Sequence, residues 1–577
     1  MTIWLKNNKI LLFLVIFCTV FFSIYAYFNL LVMAPKNDFL GGRDAIKFSS
    51  PDETANYFWI KRLAQGQSLY YFEELNGIGT NLIHLRAMNT VEGKITPGSF
   101  IGMIIIYGSL AKIFTPAIIP FLTPFFSILG LIFFYLLINK LFNHKSVALI
   151  SAVLLSFFPA WLYYSARGLY HNILFISLLI VGIYVLFLSL EDIKDIRDIK
   201  DIKYPQYLKY LQYPFSGFLI GLSIITRASE IVWLAFSILF IFIFKFKKIH
   251  WLGFILFLCG LWLPILILLY YNQILYGAFI SAGYKAIVPE GGIGAAIKSG
   301  ILFQMLISPF GFDPKSILIN AYNYLIQFLP YWSIPTILGG LLFITLPEKI
   351  LKINYKKRIS YTIFCLLLIA YCLLFYGSWQ FADRIDEQTL SLGTSYLRYW
   401  LPIYILALPF LAILIYNLSR VPLLIGTRDP DKSRTYESVT KILLSSVIII
   451  LLAMPSFNLV YRQTDESLFL LKNLSESRIK SRLINQKIKP DEVAVIYRQA
   501  DKIFFPERAR IITDLVVPAD YQAVARLAEL KNIYYYTFAP PATVEFISRR
   551  DFEQYGLKIV AGEKLLGSDW LYKIIRE

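Results

Sequence analysis

The sequence predicts a polytopic α-helical membrane protein of about eleven spans, followed by a small α/β domain. Three observations carry this. Of 577 residues, 57% are hydrophobic and only 16% charged, against roughly 25% charged in a soluble globular protein. Apolar runs of about 18 or more residues, long enough to cross a hydrocarbon core, recur along most of the chain. From about Pro490 the pattern changes to alternating strand-like and helix-like stretches.

The runs place spans at about 9–33, 117–139, 147–164, 172–190, 214–226, 229–245, 251–270, 320–346, 360–378, 400–418 and 442–459. The first follows Lys6 and Lys9 and is too long for a signal-peptide core; Pro35 follows the small residue Ala34. It reads as a retained anchor with the N-terminus inside. The segments 214–226 and 229–245 are short and separated by Arg227-Ala228-Ser229-Glu230. They read as broken half-spans, since irregular backbone is tolerated at depth where protein or water covers it.

Pro97–Phe114 decides the topology. If it crossed, the basic loops around Lys140, Lys247 and Lys357 would lie outside. If it lies on the outer surface, all of them fall inside, as does the basic stretch Arg420–Lys441. The positive-inside rule prefers the second arrangement. Gly98, Gly102, Ser109 and Lys112 also share one helical face, as in an interfacial helix. The C-terminus is then outside, and the protein is expected to be multi-pass in the plasma membrane. The net charge of +18 comes from Lys and Arg scattered between apolar runs. That is the positive-inside pattern and excludes a nucleic-acid partner.

Cys18, Cys259, Cys365 and Cys372 all lie inside apolar segments, so no disulfide framework is expected. The four His, at 84, 144, 171 and 250, form no local metal motif; a divalent metal stays open. The domain reading is a membrane domain over 1–460, with an outer loop at 34–116, and an extracytoplasmic α/β domain over 461–577. A second outer region covers about 271–319. The run Asp192–Lys203 alternates in charge sign and reads as a solvated linker. In the tail, strands are expected at Val493–Tyr497, Ile533–Phe538, Leu557–Val560 and Trp570–Ile575, with a helix over Asp520–Leu530.

The chemistry concentrates in the first outer loop, which holds Asp38, Asp44, Asp52, Glu53, Glu73, Glu74, His84, Arg86 and Glu92. A loop of about 80 residues is long for a connector and is expected to fold. Its centre is Ser49-Ser50-Pro51-Asp52-Glu53, followed by Asn56-Tyr57-Phe58. Ser50 suits an N-cap, Pro51 the first helical position and Glu53 the third, which is a capping box. Capping and chemistry are compatible here, because a cap can also aim a carboxylate.

This acidic pair, in the first outer loop after one anchoring span, resembles the GT-C glycosyltransferases. These include the protein O-mannosyltransferases, the aminoarabinose transferases and the oligosaccharyltransferase catalytic subunits. Pro97-Gly98-Ser99 resembles the start of their surface helix. Phe158-Pro159 with Tyr164–Tyr170 resembles their second outer turn, Gly221–Arg227 their short-helix pair, and Tyr396–Pro402 the pattern opening a late span. The resemblance covers roughly residues 9–420. It implies transfer of a sugar from a polyprenyl-phosphate donor, entering from the lipid bilayer, to a glycan, lipid or protein acceptor by inverting displacement. On that reading Asp52 is the base, Glu53 a positioning partner or alternate base, and Asp44 a reserve. Arg398 is favoured for the donor phosphate, with Arg227, Arg86 and Lys285 behind it. An interfacial snorkelling role is the alternative for each arginine. The second outer turn carries Tyr170-His171-Asn172 with no acid, and the tail lacks a Trp-Trp-Asp-type motif; both disfavour a metal-dependent oligosaccharyltransferase. A transporter or flippase would show internal repeats and mid-span acids, and neither is evident. A many-span glycan polymerase would carry its large outer loop in the second half of the chain.

Overall fold

A computed structural model describes residues 9–33, 46–190, 206–245, 248–283, 302–379, 390–419, 430–462, 467–497, 500–513 and 515–577. The principal helices before the tail are α1 (Lys9–Met33), α2 (Pro51–Ala64), α3 (Gly102–Ile113), α4 (Ile119–Phe142), α5 (Lys145–Phe157), α6 (Pro159–Ala166), α7 (His171–Ser189), α8 (Gln206–Thr226), α9 (Ile231–Phe244), α10 (Trp251–Tyr276), α11 (Pro314–Ala321), α12 (Pro330–Thr345), α13 (Tyr355–Tyr376), α14 (Leu401–Leu418) and α15 (Pro430–Tyr461). Among the described residues, seven helices are long and apolar enough to cross a membrane, or up to ten if each of three bent pairs counts as one. The two half-spans expected around Arg227 are the arms of one bent pair, Tyr210–Thr226 and Ala228–Phe244, turned through 113°. Large apolar side chains stay exposed along these helices, among them Phe236, Leu263, Leu266 and Leu341. In a bilayer such positions face lipid at no cost.

The bends have identifiable causes. Phe158 is extended ahead of Pro159, the first residue of α6. A residue before proline is steered away from helical backbone, and α5 and α6 meet at 57°. Pro330 opens α12 in the same way after a 94° bend. At Arg227 no proline intervenes; charged side chains hold that elbow, as described below.

Without a hydrophobic drive between helices in lipid, close packing must supply cohesion, and small residues permit it. Helix α8 meets α10 through Gly217 and Gly221 on one side and Gly260 on the other. A Cβ on Gly217 would stand 2.0 Å from the Phe257 carbonyl oxygen, and one on Gly260 would stand 2.0 Å from that of Pro214. Helix α7 meets α8 at Gly182, whose carbonyl accepts from Ser216 Oγ at 2.8 Å.

The chain divides into two compact units. One holds the described residues of Met1–Tyr27, Leu122–Tyr270 and Ala286–Phe469, and so carries nearly all the spans. The other draws on Phe28–Phe121, Tyr271–Lys285 and Leu470–Glu577. The second unit has two sheets. Strands β1 (Tyr71–Phe72), β2 (Met88–Val91) and β3 (Lys94–Pro97) form an antiparallel sheet in the order β1-β3-β2. The tail supplies β4 (Val493–Ile496), β5 (Ile511–Ile512), β6 (Ile533–Thr537), β7 (Leu557–Lys564) and β8 (Trp570–Arg576), ordered β5-β4-β6-β8-β7. Helices α16 (Leu474–Lys487), α17 (Pro518–Leu530) and α18 (Pro541–Ile547) accompany them. All four strands expected in the tail are present, and β5 is an addition.

Helix α3 begins at Gly102 rather than at Pro97, because Pro97 is the last residue of β3, opposite Met88. Its 12 residues span about 18 Å, well short of a hydrocarbon core. It packs on α2 at Gly108, where a Cβ would stand 2.9 Å from that of Leu63.

The membrane packing makes a direct prediction. Gly217→Val drives a branched side chain into the backbone of α10, at a cost of about 3 kcal/mol or more. Its thermal transition in detergent should fall clearly below that of Leu263→Val, which trims an exposed side chain and should melt like the native protein.

Candidate active-site elements

In the second unit the acidic motif opens α2. Ser50 is the N-cap, extended, with its hydroxyl accepting from the Asp52 N–H at 3.2 Å, and Pro51 occupies the first turn. The expected cap is present, bonded to the residue after the proline. Glu53 is buried, 4% exposed, and accepts from Ser49 Oγ at 3.4 Å. Asp52 is half-buried. The two neighbouring carboxylates therefore differ: Glu53 is packed and bonded, while Asp52 keeps an accessible face. One turn on, buried Asn56 accepts from Ser99 Oγ at 3.2 Å.

The preceding segment is tied to the C-terminal part of the same unit. Lys47 is fully buried and donates to the carbonyls of Ile503, at 2.7 Å, and Phe505, at 3.2 Å, while pairing with Glu507. Burial lowers its ammonium pKa, and the Glu507 carboxylate opposes that shift. Arg86 stands 3.9 Å from Asp501, whose side chain is buried; burial raises that carboxyl, with Arg86 opposing. Arg86 thus has a carboxylate partner in this unit. Glu73 accepts from Arg510 Nε through both oxygens, at 3.1 and 3.2 Å, and Ile83 bridges to Ile512 at the edge of the tail sheet. Asp44 and Lys285 lie outside the described residues. Among the described residues no group of three or more His, Cys, Asp or Glu side chains could hold a metal ion.

The membrane unit gathers arginines. At the α8–α9 elbow, Arg227 donates to Glu230 Oε1 through Nε at 3.1 Å and Nη2 at 2.7 Å, and to the Tyr376 hydroxyl at 3.0 Å. Tyr376 and the Trp233 indole also donate to Glu230, each at 2.6 Å. Both members of the pair are buried. The Arg227 guanidinium lies over the Tyr399 ring, 4.5 Å from its centre. Arg398 lies over the same ring at 5.1 Å and over Tyr170 at 5.3 Å. Arg167 in turn lies over Tyr170 at 5.3 Å and donates to its hydroxyl at 3.0 Å. Three guanidinium groups are thus linked through two shared tyrosine rings. Stacking occupies the guanidinium face and leaves its N–H edge to donate. Arg227 and Arg167 are 3% and 6% exposed, whereas Arg398 is only half-buried, so Arg398 is the most accessible of the three. Asn172 Nδ2 donates to the Arg398 carbonyl at 2.7 Å, which fixes the second turn against the start of α14.

Arg227 and Arg398, both named from the sequence, are therefore brought together. Arg167 joins them without having been selected. Its signal was the run Tyr163…Arg167…Tyr170, in which two aromatic residues flank a buried cation at helical spacing.

The chain superposes on ArnT from Cupriavidus metallidurans, solved bound to undecaprenyl phosphate, with a TM-score of 0.53 and 10% identity, over 98% of each chain. This is the GT-C fold. Weaker likenesses are to the Archaeoglobus fulgidus oligosaccharyltransferase in its apo form (TM-score 0.47, 12% identity, 90% of this chain and 69% of that one) and to the mycobacterial arabinofuranosyltransferase AftD (TM-score 0.41, 9% identity, 97% of this chain and 40% of that one). No protein-family model and no curated protein matches the chain. Within the GT-C fold of this chain, the acidic motif opens α2, the second-turn motif spans α6 and the start of α7, and Arg398 sits in the short helix Ser395–Tyr399 ahead of α14.

The elbow of this GT-C fold can be tested by its ion pair. Glu230→Gln leaves a buried guanidinium facing a neutral amide and should destabilise the protein by about 3 kcal/mol. Arg227→Met combined with Glu230→Gln should recover part of that loss. A double-mutant cycle on thermal stability in nanodiscs measures the coupling, expected at about 1 kcal/mol or more.

Proposed function

We propose that this protein transfers a sugar from a polyprenyl-phosphate donor to an acceptor on the outer face of the membrane, by inverting displacement. The observation that carries the reading is the stacked Arg167–Arg398–Arg227 group in the membrane unit, which suits a lipid-linked phosphate. The GT-C fold shared with ArnT, a protein solved with undecaprenyl phosphate, supports it. Arg398 contacts the donor phosphate, and Arg227 and Arg167 flank it. Guanidinium groups match phosphate geometry and stay charged at any working pH. Asp52 takes the proton of the acceptor hydroxyl or amine as the acceptor atom bonds to the anomeric carbon. The bond from that carbon to the phosphate oxygen breaks, and the phosphate leaves with the electron pair. Glu53, buried against Ser49, positions Asp52. Asp44 is the alternate base and Lys285 a further cation in this proposal; Arg86, paired with Asp501, plays a structural part.

The proposed topology follows from the basic loops. The N-terminus is cytoplasmic, and residues 461–577 form an extracytoplasmic domain of a plasma-membrane protein. The sugar is a hexose or pentose, and the acceptor a glycan, lipid or protein.

Asp52→Asn removes the base while keeping the cap and the shape of the side chain. With a panel of polyprenyl-phosphate sugars, purified wild type should transfer one of them and the variant should be slower by ~10²-fold or more. Full activity in Asp52→Asn would move the base to Asp44 or Glu53. No transfer by wild type from any donor would reject the proposal.

A further inference from the structure

The tail domain is bound to the acidic motif at three points, and we infer that Lys502 is a positioning residue for the α2 carboxylates; the inference rests on the assignment of Asp52 and Glu53 made above. The direction in which a helix presents its first-turn side chains is set by the residues that enter it. Here the entering segment is Lys47–Ser50. Lys47 is anchored on the carbonyls of Ile503 and Phe505. Phe58, two turns into α2, packs edge-on against the Phe505 ring with centroids 5.0 Å apart. Between these anchors, Lys502 Nζ donates to the Ser49 carbonyl at 2.9 Å. The same Ser49 donates its hydroxyl to Glu53, and the next residue, Ser50, caps Asp52. Lys502 therefore grips a residue whose side chain bonds the buried carboxylate and whose neighbour caps the proposed base. The tail carries no recognisable catalytic set of its own. Its residues 502–507 instead hold a turn about 450 positions earlier in the sequence, as the separation of 453 between Lys502 and Ser49 records.

The other anchors differ from Lys502. Lys47 is fully buried in a charge pair, and its loss would disrupt the unit. Lys502 is half-buried and bonds a backbone carbonyl, and the buried Asp501 carboxylate, whose charge it favours, keeps Arg86 at 3.9 Å when Lys502 is replaced. Misplacing a catalytic group by about 1 Å can cost on the order of 10²-fold in rate. Loss of one of three anchors should cost about ten-fold.

The test uses the full chain in nanodiscs, with Lys502→Met, Lys502→Arg and Asp52→Asn side by side. Lys502→Met should lower kcat about ten-fold and leave donor KM within about two-fold, with an unchanged melting temperature. Lys502→Arg, which can still donate to Ser49, should restore most of the rate. Hydrogen exchange at the first turn of α2, including the Thr54 amide bonded to the Ser50 carbonyl, should be faster in Lys502→Met alone. Unchanged kcat in Lys502→Met, a fall that Lys502→Arg does not rescue, or unchanged exchange would each overturn the positioning role. Transfer by Asp52→Asn at the wild-type rate would instead sink the base assignment, while the exchange measurement would still decide whether Lys502 holds the turn.

Discussion

A guanidinium buried among apolar helices must be compensated, and the Arg227–Glu230 pair meets that demand at the point where α8 breaks from α9. Removing such a charge from water costs several kcal/mol, and here Glu230 is bonded by Arg227, Tyr376 and Trp233 together. The pair turns a potential liability into an elbow of fixed shape. It also orients Tyr376, whose ring stacks on Tyr399 at 5.0 Å. Tyr399 is the platform that Arg227 and Arg398 share. The arrangement of cations in the membrane unit thus follows from one compensated charge and the aromatic residues around it.

The second unit solves a different problem. A short helix bearing carboxylates has little core of its own, and its first turn would fray in isolation. The chain supplies rigidity from its far end: Lys47, Ser49, Glu73 and Ile83 are all bonded to residues between 502 and 512. The segment after α1 and the tail therefore belong to one compact unit, although most of the spans lie between them in the sequence. Glycine serves the same end at one junction, where a Cβ on Gly98 would stand 2.6 Å from the Ala87 carbonyl oxygen.

Much of this was legible from residue types alone. Apolar runs located the spans, alternation located the tail strands, and the order Ser50-Pro51-Asp52 announced a capped helix carrying an acid. Short or distant features were not legible. Strands β1 and β5 have two residues each, too few for a period of two to register. The two half-spans at Arg227 were legible but the 113° turn between them was not, because hydropathy measures length and not direction. The pairing of Arg86 with Asp501 was hidden because the two lie more than 400 positions apart. Arg167 looked like a turn residue because only the folded chain shows that it shares Tyr170 with Arg398. In each case the missing information was a contact between distant segments, which local pattern does not encode.

The central claim is that the stacked arginines hold a lipid-linked phosphate. Binding of undecaprenyl phosphate to the purified protein, followed by native mass spectrometry for wild type, Arg398→Ala and Arg167→Ala, tests it most directly. Saturable binding by wild type is expected, weakened at least ~10-fold in Arg398→Ala, as for the loss of a charge-assisted hydrogen bond, and weakened less in Arg167→Ala. Absence of binding by folded wild type, or equal binding by all three, would contradict it.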